Sequence, residues 1–260
     1  MKRLTLRFVG YELRNAAGNW FSVFFGVAFP ILMSLLISKA FAGEMPVEAV
    51  PSFETGGFIS MSLIVTMATL LIGYAANYSQ ELEKEVPLRL RLFGCPEGIL
   101  LGAKMLANLI FMTAALAIYT AADLLLLRIE PPAAESVLLL VSSIYLLALI
   151  LFMLAHGIAT LFGKFGPAYA VTMTLYFGFM IVCGLMGVPV ERLPAGVQSA
   201  ASALPMTYIG NDFAGFWQGG SYDFGPLILS FVILGSISFA VLLLGLWKRR
   251  RRGFPRNIPR

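Results

Sequence analysis

The chain has 260 residues, of which 58% are hydrophobic and only 13% are charged. Ordinary soluble domains carry about 25% charged residues, so this composition excludes a typical soluble protein and indicates a membrane protein. The net charge of +5 does not indicate nucleic-acid binding, because basic residues in the loops of a membrane protein set its orientation. We therefore expect the lipid bilayer, and no nucleic acid, to be a partner.

Six apolar stretches are long enough to cross a bilayer, which takes about 20 predominantly apolar residues. Backbone polar groups must be paired in lipid, and these stretches lack the alternating polarity of barrel strands, so each is expected to be an α-helix. The sequence thus predicts an all-α membrane protein with a single domain, residues 1–260. The expected spans are residues 20–41, 58–78, 99–127, 137–162, 167–187 and 226–247.

The segments outside the spans differ in character. Residues 1–19 mix apolar and basic side chains and are expected to form an amphipathic elbow helix in the headgroup plane. Residues 79–98 form a charged loop between the second and third spans. Residues 188–225 are mildly apolar and are interrupted by proline and glycine, which predicts short helices of re-entrant type before the last span. Residues 248–260 form a basic tail.

The distribution of basic residues predicts the orientation. An even number of spans puts both termini on one side of the membrane. All but three of the 19 Lys and Arg residues fall on that side, the exceptions being Lys39, Arg128 and Arg192. Because basic loops stay in the cytoplasm, we expect a multi-pass protein of the cell membrane with both termini cytoplasmic.

The charged loop is the segment best suited to contact a soluble partner. Apolar residues Leu82, Val86 and Leu90 recur at helical spacing, which predicts one short amphipathic helix that Gly94 and Pro96 end. Its charged side would dock on a cytoplasmic protein, and the alternative is a solvated loop that only fixes the topology. The candidate docking residues are Glu81, Glu83, Lys84, Glu85, Arg89 and Arg91.

Two spans carry a face of small or hydroxylated residues. Such faces usually serve helix packing in membranes, because they let backbones approach closely. The functional alternative is a translocation path or a dimer face. The candidate residues are Ser62, Thr66, Thr69 and Asn77 in the second span and Thr172 and Tyr176 in the fifth.

Two further ionisable residues lie inside spans, where such groups are costly and are candidates for function. His156 is in the inner half of the fourth span, and Asp123 is in the outer part of the third. Their different depths argue against a direct pair. We expect His156 to be packed and hydrogen-bonded, and Asp123 to meet Arg128 or a hydroxyl. No catalytic residue and no metal site is expected.

Four loose motifs stand in a consistent order along the chain. They are Tyr11–Asn15 before a first span with Phe29-Pro30, the acidic loop followed by Arg89-Leu90-Arg91-Leu92-Phe93-Gly94, Lys104 early in the third span, and Leu204-Pro205-Met206-Thr207-Tyr208. With the six-span layout, these motifs resemble permease subunits of ABC transporters of the ABC-2 type. The resemblance implies that residues 81–91 form the coupling helix that sits on a cytoplasmic ABC ATPase subunit. It also implies a second permease subunit that packs against the first, second and fifth spans.

The chain is not expected to be an enzyme by itself. The nearest match to a phosphate-binding P-loop, Gly157–Lys164, has the wrong spacing, so ATP and Mg²⁺ are expected on the partner subunit and no cofactor in this chain. The predicted function is export of an amphiphilic drug, peptide or lipid by alternating access, in a homo- or heterodimer. The alternatives are a stand-alone secondary transporter or channel, which predicts paired buried charges near the midplane, and an intramembrane enzyme, which needs a nucleophile beside a base.

Overall fold

The computed structural model describes residues 2–41 and 43–251, and within these residues the fold is entirely helical. Six helices are long and apolar enough to span a membrane, which confirms the predicted class. Residues 252–260 of the predicted basic tail lie outside the described residues. The helices are α1 (Lys2–Ala17), α2 (Trp20–Phe41), α3 (Val50–Glu83), α4 (Val86–Leu92), α5 (Glu97–Leu126), α6 (Ala134–Phe162), α7 (Phe165–Val182), α8 (Ala195–Ala201), α9 (Pro205–Phe216) and α10 (Phe224–Arg251).

Helix α3 is the central element. In its most apolar window 94% of the residues are buried inside the protein, against 22–28% for α2, α5, α7 and α10. Helices α2, α5, α6 and α7 pack against α3, whereas α10 packs mainly on α6. The outer faces of these spans carry exposed apolar side chains, as a lipid-facing surface requires. We call the side of the membrane that carries α1, α4 and the end of α10 the terminal side.

Two helices differ clearly in length from the predicted spans. Helix α3 begins at Val50 and not at residue 58, because Pro51 fits a first helical turn and the polar side chains that follow have partners. Glu54 accepts hydrogen bonds from the hydroxyl of Ser38 and the backbone N–H of Arg128. Helix α7 ends at Val182 and not at residue 187. There Gly184 adopts a left-handed backbone with φ of 72°, which turns the chain away.

Helices α2 and α3 each contain a π-helical segment, Phe24–Ala28 and Ala68–Gly73. The two segments face each other, because a Cβ atom placed on Gly26 would lie 2.7 Å from Cγ2 of Thr69. Pro30 follows the first segment and lacks an N–H group, which accounts for the wide turn before it. The irregularity of α2 before Pro30 is therefore a π-helical turn.

Helices α6 and α10 pack through glycine. A Cβ atom on Gly157 would lie 2.7 Å from the backbone nitrogen of Leu242, and one on Gly245 would lie 2.6 Å from the carbonyl oxygen of Gly157. Real Cβ atoms do not approach so closely, so the two backbones touch where glycine removes the side chain. This contact fixes the last span against the fourth.

Candidate functional site

Helix α1 brings a carboxylate into the interior on the terminal side. Its buried residues Val9, Glu12 and Ala16 are spaced so that they share one helical face. This face packs on α5, where Ala103 and Ala107 are buried against Val9. The small alanine side chains let α1 lie close to α5, and Glu12 is thereby directed between the two helices.

Glu12, Lys104 and Glu81 form a buried ion network. The Nζ atom of Lys104 lies 2.7 Å from Oε1 of Glu12 and 2.6 Å from Oε2 of Glu81, and none of the three side chains is more than 10% exposed. Asn15 of α1 donates a hydrogen bond of 2.9 Å to the other oxygen of Glu81. The ion network therefore joins α1, the end of α3 and α5.

Charge in the ion network is not balanced, because it contains two carboxylates and one ammonium group. Burial raises the pKa of the Glu12 carboxyl above its ordinary value of 4.5, and the nearby Lys104 opposes this effect only in part. Buried ion pairs are costly to break, since removing one partner leaves an uncompensated charge away from water. The three helices should consequently move together on the terminal side.

The loop after the ion network differs from the single helix predicted over residues 81–91. Helix α3 continues to Glu83, and α4 covers only Val86–Leu92. Between them Glu85 takes a left-handed conformation with φ of 55°, which breaks the helical path. Pro87 lies in the first turn of α4, where its missing N–H costs no helical hydrogen bond. The prediction of one continuous helix was therefore wrong.

The candidate docking residues fall into two groups. Glu81 is buried and belongs to the ion network, so it is not at the surface. The others are exposed, and two of them also have partners: Glu83 accepts a 3.0 Å hydrogen bond from the backbone of Phe165, and Arg91 lies 3.4 Å from Glu97. The exposed residues, which we call the α4 surface, are Glu83, Lys84, Glu85, Arg89 and Arg91.

The hydroxyl face of the second span lies inside the protein. Ser62, Thr66 and Thr69 are at most 3% exposed, and each donates to a carbonyl of its own helix at 2.6–3.0 Å. Thr172 of α7 is also buried and bonds to its own helix. The burial and local hydrogen bonds of these residues agree with the helix-packing interpretation, and the four side chains do not lie on the outer surface of this chain.

The two remaining candidates in these spans have different surroundings. Asn77 accepts a 2.8 Å hydrogen bond from Asn19 at the start of α2. Tyr176 is fully buried, its ring packs edge-on against Phe25, and its hydroxyl has no hydrogen-bond partner among the described residues. Asn77 therefore links α3 to α2, whereas Tyr176 fills apolar space between α2 and α7.

The two ionisable residues inside the spans, His156 and Asp123, have different surroundings. His156 is buried with its Nδ1 atom 2.7 Å from the hydroxyl of Tyr74, and its ring stacks on Tyr78, as expected of a packed histidine. Asp123 is also fully buried. It lies near the hydroxyls of Tyr119 and Ser34, but neither of its carboxylate oxygens has a hydrogen-bond partner among the described residues. Among the described residues, the structure therefore shows neither the expected contact of Asp123 with Arg128 nor a hydrogen bond from a hydroxyl to its carboxylate.

A small cavity of about 130 Å³ lies beneath α4 on the terminal side. Its walls include apolar residues of α4, α5 and α10, such as Leu90, Leu101 and Leu246, and His156 and Lys104 also line it. Arg249 of α10 lies 3.2 Å from Glu97 at its edge. The cavity therefore combines apolar walls with charged groups, as an amphiphilic ligand would require.

The association of Glu12, Lys104 and Glu81 was not predicted from the sequence. Lys104 lies eight residues into an apolar helix, and a charge in such a position normally has a partner. That expectation could have suggested a search for carboxylates at the same depth on the terminal side. It could not have identified Glu12 and Glu81, which lie 92 and 23 positions from Lys104.

Comparison with known proteins agrees with this architecture. The family model described as ABC-2 type transporter matches residues 4–216, which include α2 to α9 and nearly all of α1. No curated protein and no solved structure matches the chain significantly. The match covers most of the chain, including the ion network and the α4 surface, so this multi-pass membrane protein belongs to the ABC-2 type transporter family.

Proposed function

We propose that this chain is the membrane subunit of an ATP-driven exporter, with its termini in the cytoplasm and a separate ATPase bound on the terminal side. Membership of the ABC-2 type transporter family is the observation that carries the proposal. ATP and Mg²⁺ would be held by the ATPase, because the sequence of this chain contains no P-loop. The working unit would be a dimer of permeases, identical or different, with two ATPase subunits.

The α4 surface is the proposed docking site for the ATPase. It carries exposed charges of both signs next to the end of α3, and charges at an interface rim favour correct orientation and rapid association. Lys84 and Glu85 form the short connection from α3 to α4. A displacement of α4 by the ATPase would therefore reach the central helix directly.

The ion network supports transmission of this movement. Glu81 lies two residues before the end of α3, and through Lys104 it is bound to α5 and to Glu12 of α1. Because separating these buried charges is costly, a pull on α4 would move α1, α3 and α5 as one unit. In alternating access, such a movement would open the path to one side of the membrane and close it to the other.

The proposed substrate is amphiphilic, and the cavity beneath α4 supports this choice through its mixed lining. The alternative of a stand-alone secondary transporter predicts paired buried charges near the midplane. Paired charges are present, but Glu81 is close to the end of α3 and Glu12 is in α1, which precedes the first span. Their position at the terminal side favours a mechanical role over an ion path.

The first experiment is purification of the tagged chain in mild detergent, with mass spectrometry of the proteins that remain bound. A stoichiometric protein with a P-loop is expected. If only an oligomer of this chain is recovered, the stand-alone transporter becomes the better interpretation.

The second experiment measures substrate-stimulated ATPase activity of the complex. Arg89→Glu should abolish stimulation, because it reverses a charge on the α4 surface. Arg192→Glu is the matched control, since it makes the same charge reversal at an exposed site on the opposite side of the membrane. Equal stimulation in wild type and Arg89→Glu would contradict docking through α4.

A further inference from the structure

A polar cleft of about 320 Å³ opens where α1 turns into α2 on the terminal side. It lies beside the end of α3 and away from the cavity beneath α4, with which it shares no lining residue. Four of the eight residues that line it carry carboxamides, which is unusual so close to an apolar span. The residues that matter for its chemistry are Arg14, Asn15, Asn19, Trp20, Asn77 and Gln80.

Hydrogen bonds hold the amide walls of the cleft in place. The Nδ2 atom of Asn19 donates to Oδ1 of Asn77 at 2.8 Å and to the carbonyl oxygen of Gly73 at 3.2 Å. Asn77 donates in turn to the carbonyl oxygen of Asn15 at 3.4 Å. These bonds connect α1, α2 and α3 across the cleft, so its shape is set before any ligand arrives.

Two donors in the cleft remain free. The side chains of Arg14 and Gln80 make no hydrogen bond or ion pair with any residue in the described ranges. Among the residues that the structure describes, Arg14 is also the only charged one that lines the cleft, because the nearby Glu81 is turned towards Lys104 and Asn15. The cleft thus presents one uncompensated guanidinium group, which attracts an anion.

Trp20 places the cleft at the boundary between headgroups and acyl chains. It is the first residue of α2, is 71% exposed and stacks on Phe24 with ring centroids 5.9 Å apart. Tryptophan is enriched at membrane interfaces, where its ring contacts acyl chains and its N–H group contacts water or headgroups. An anion bound by Arg14 could therefore carry an apolar chain that extends along Trp20 and Phe24.

We propose that this cleft binds the phosphate-bearing headgroup of a membrane lipid. A guanidinium group matches the geometry of phosphate oxygens and binds them through paired hydrogen bonds. Gln80 and the amide walls supply donors and acceptors for the glycerol or hydroxyl groups next to the phosphate. The site rests on the cleft and its free cation, and it does not depend on ATP-driven export.

The test is native mass spectrometry of the purified full chain in detergent, titrated with a short-chain phosphatidylglycerol. Arg14→Gln should weaken binding about tenfold, which corresponds to about 1.4 kcal/mol, and Gln80→Leu should weaken it less. Arg7→Gln is the matched control, because Arg7 is an exposed arginine of the same helix that does not line the cleft. It should leave the affinity unchanged within twofold.

Four results would overturn the proposal. Equal losses in Arg14→Gln and Arg7→Gln would show only general attraction to a basic surface. If inorganic phosphate binds as tightly as the lipid, the cleft is a site for free anions. If diacylglycerol binds as tightly as the lipid, the phosphate group does not contribute to recognition. The same spectra report the oligomeric state, and loss of the dimer without loss of lipid in Arg14→Gln would assign the cleft to subunit contact.

Discussion

Lys104 and Glu81 form a buried ion pair in which Nζ lies 2.6 Å from Oε2. Glu81 lies five residues before α4 begins, and Lys104 is eight residues into α5. The pair therefore holds together the two helices that α4 and its flanking turns connect. Since Lys104 also binds Glu12, the same ammonium group fixes the preceding helix α1.

Removal of Lys104 should strongly destabilise the protein. Lys104→Met leaves two buried carboxylates without a counter-ion, and loss of one partner of a buried pair costs about 3–5 kcal/mol. We expect a large decrease in the melting temperature of the protein in detergent. It is measured from the fraction of the protein that remains monodisperse after heating to a series of temperatures. The triple variant Lys104→Met, Glu12→Gln, Glu81→Gln should recover much of the loss, because it contains no buried charge at this site.

Lys39→Met provides the control for this prediction. Lys39 is an exposed lysine in α2 near the opposite side of the membrane, so the same replacement there should change the melting temperature little. If Lys104→Met were as stable as Lys39→Met, the ion network would not hold the three helices together.

Glu12→Gln should stabilise the protein in a pH-dependent way. Because burial raises the pKa of Glu12 in the folded state, ionised Glu12 lowers stability at pH values above its folded pKa. As the pH falls from above the pKa of Glu12 in the folded state towards its lower pKa in the unfolded state, the buried carboxyl takes up a proton and this destabilisation disappears. The variant should therefore melt above wild type at about pH 8, and the difference should shrink towards about pH 5.

The exposed Glu44 on the opposite side of the membrane provides the control for the pH experiment. Glu44→Gln should give a difference from wild type that changes little over the same range. A difference for Glu12→Gln that grows on acidification would contradict the assigned direction of the pKa shift.

The spans could be predicted from the sequence, but the site could not be assembled from it. Runs of apolar residues identify membrane helices because lipid imposes the same requirement on each of them. The early start of α3 was missed because Glu54 and Thr55 look like loop residues until their partners are known. The ion network depends on contacts between distant helices, and hydrophobic periodicity carries no information on those contacts.

The glycine contact between α6 and α10 should tolerate no added methyl group. In Gly157→Ala the new Cβ would meet the backbone of Leu242 at 2.7 Å, so the helices must separate. Overpacking of this kind costs about 1–3 kcal/mol, and we expect a lower melting temperature. Gly102→Ala in α5 is the control, because no described atom beyond its chain neighbours and the backbone of its own helix lies within 4 Å of its added Cβ. Equal melting temperatures in the two variants would contradict the close contact.

The hydroxyl face of α3 should be dispensable for transport. Thr66 and Thr69 are buried within the protein and their hydroxyls bond to carbonyls of their own helix, which are already paired in the helical ladder. Thr66→Val and Thr69→Val preserve side-chain shape and remove only these weak local bonds. Stimulated ATPase activity and uptake of a fluorescent amphiphile into inverted vesicles should stay within twofold of wild type, whereas Arg89→Glu should abolish both. Loss of uptake in a folded valine variant would instead place this face in the translocation path.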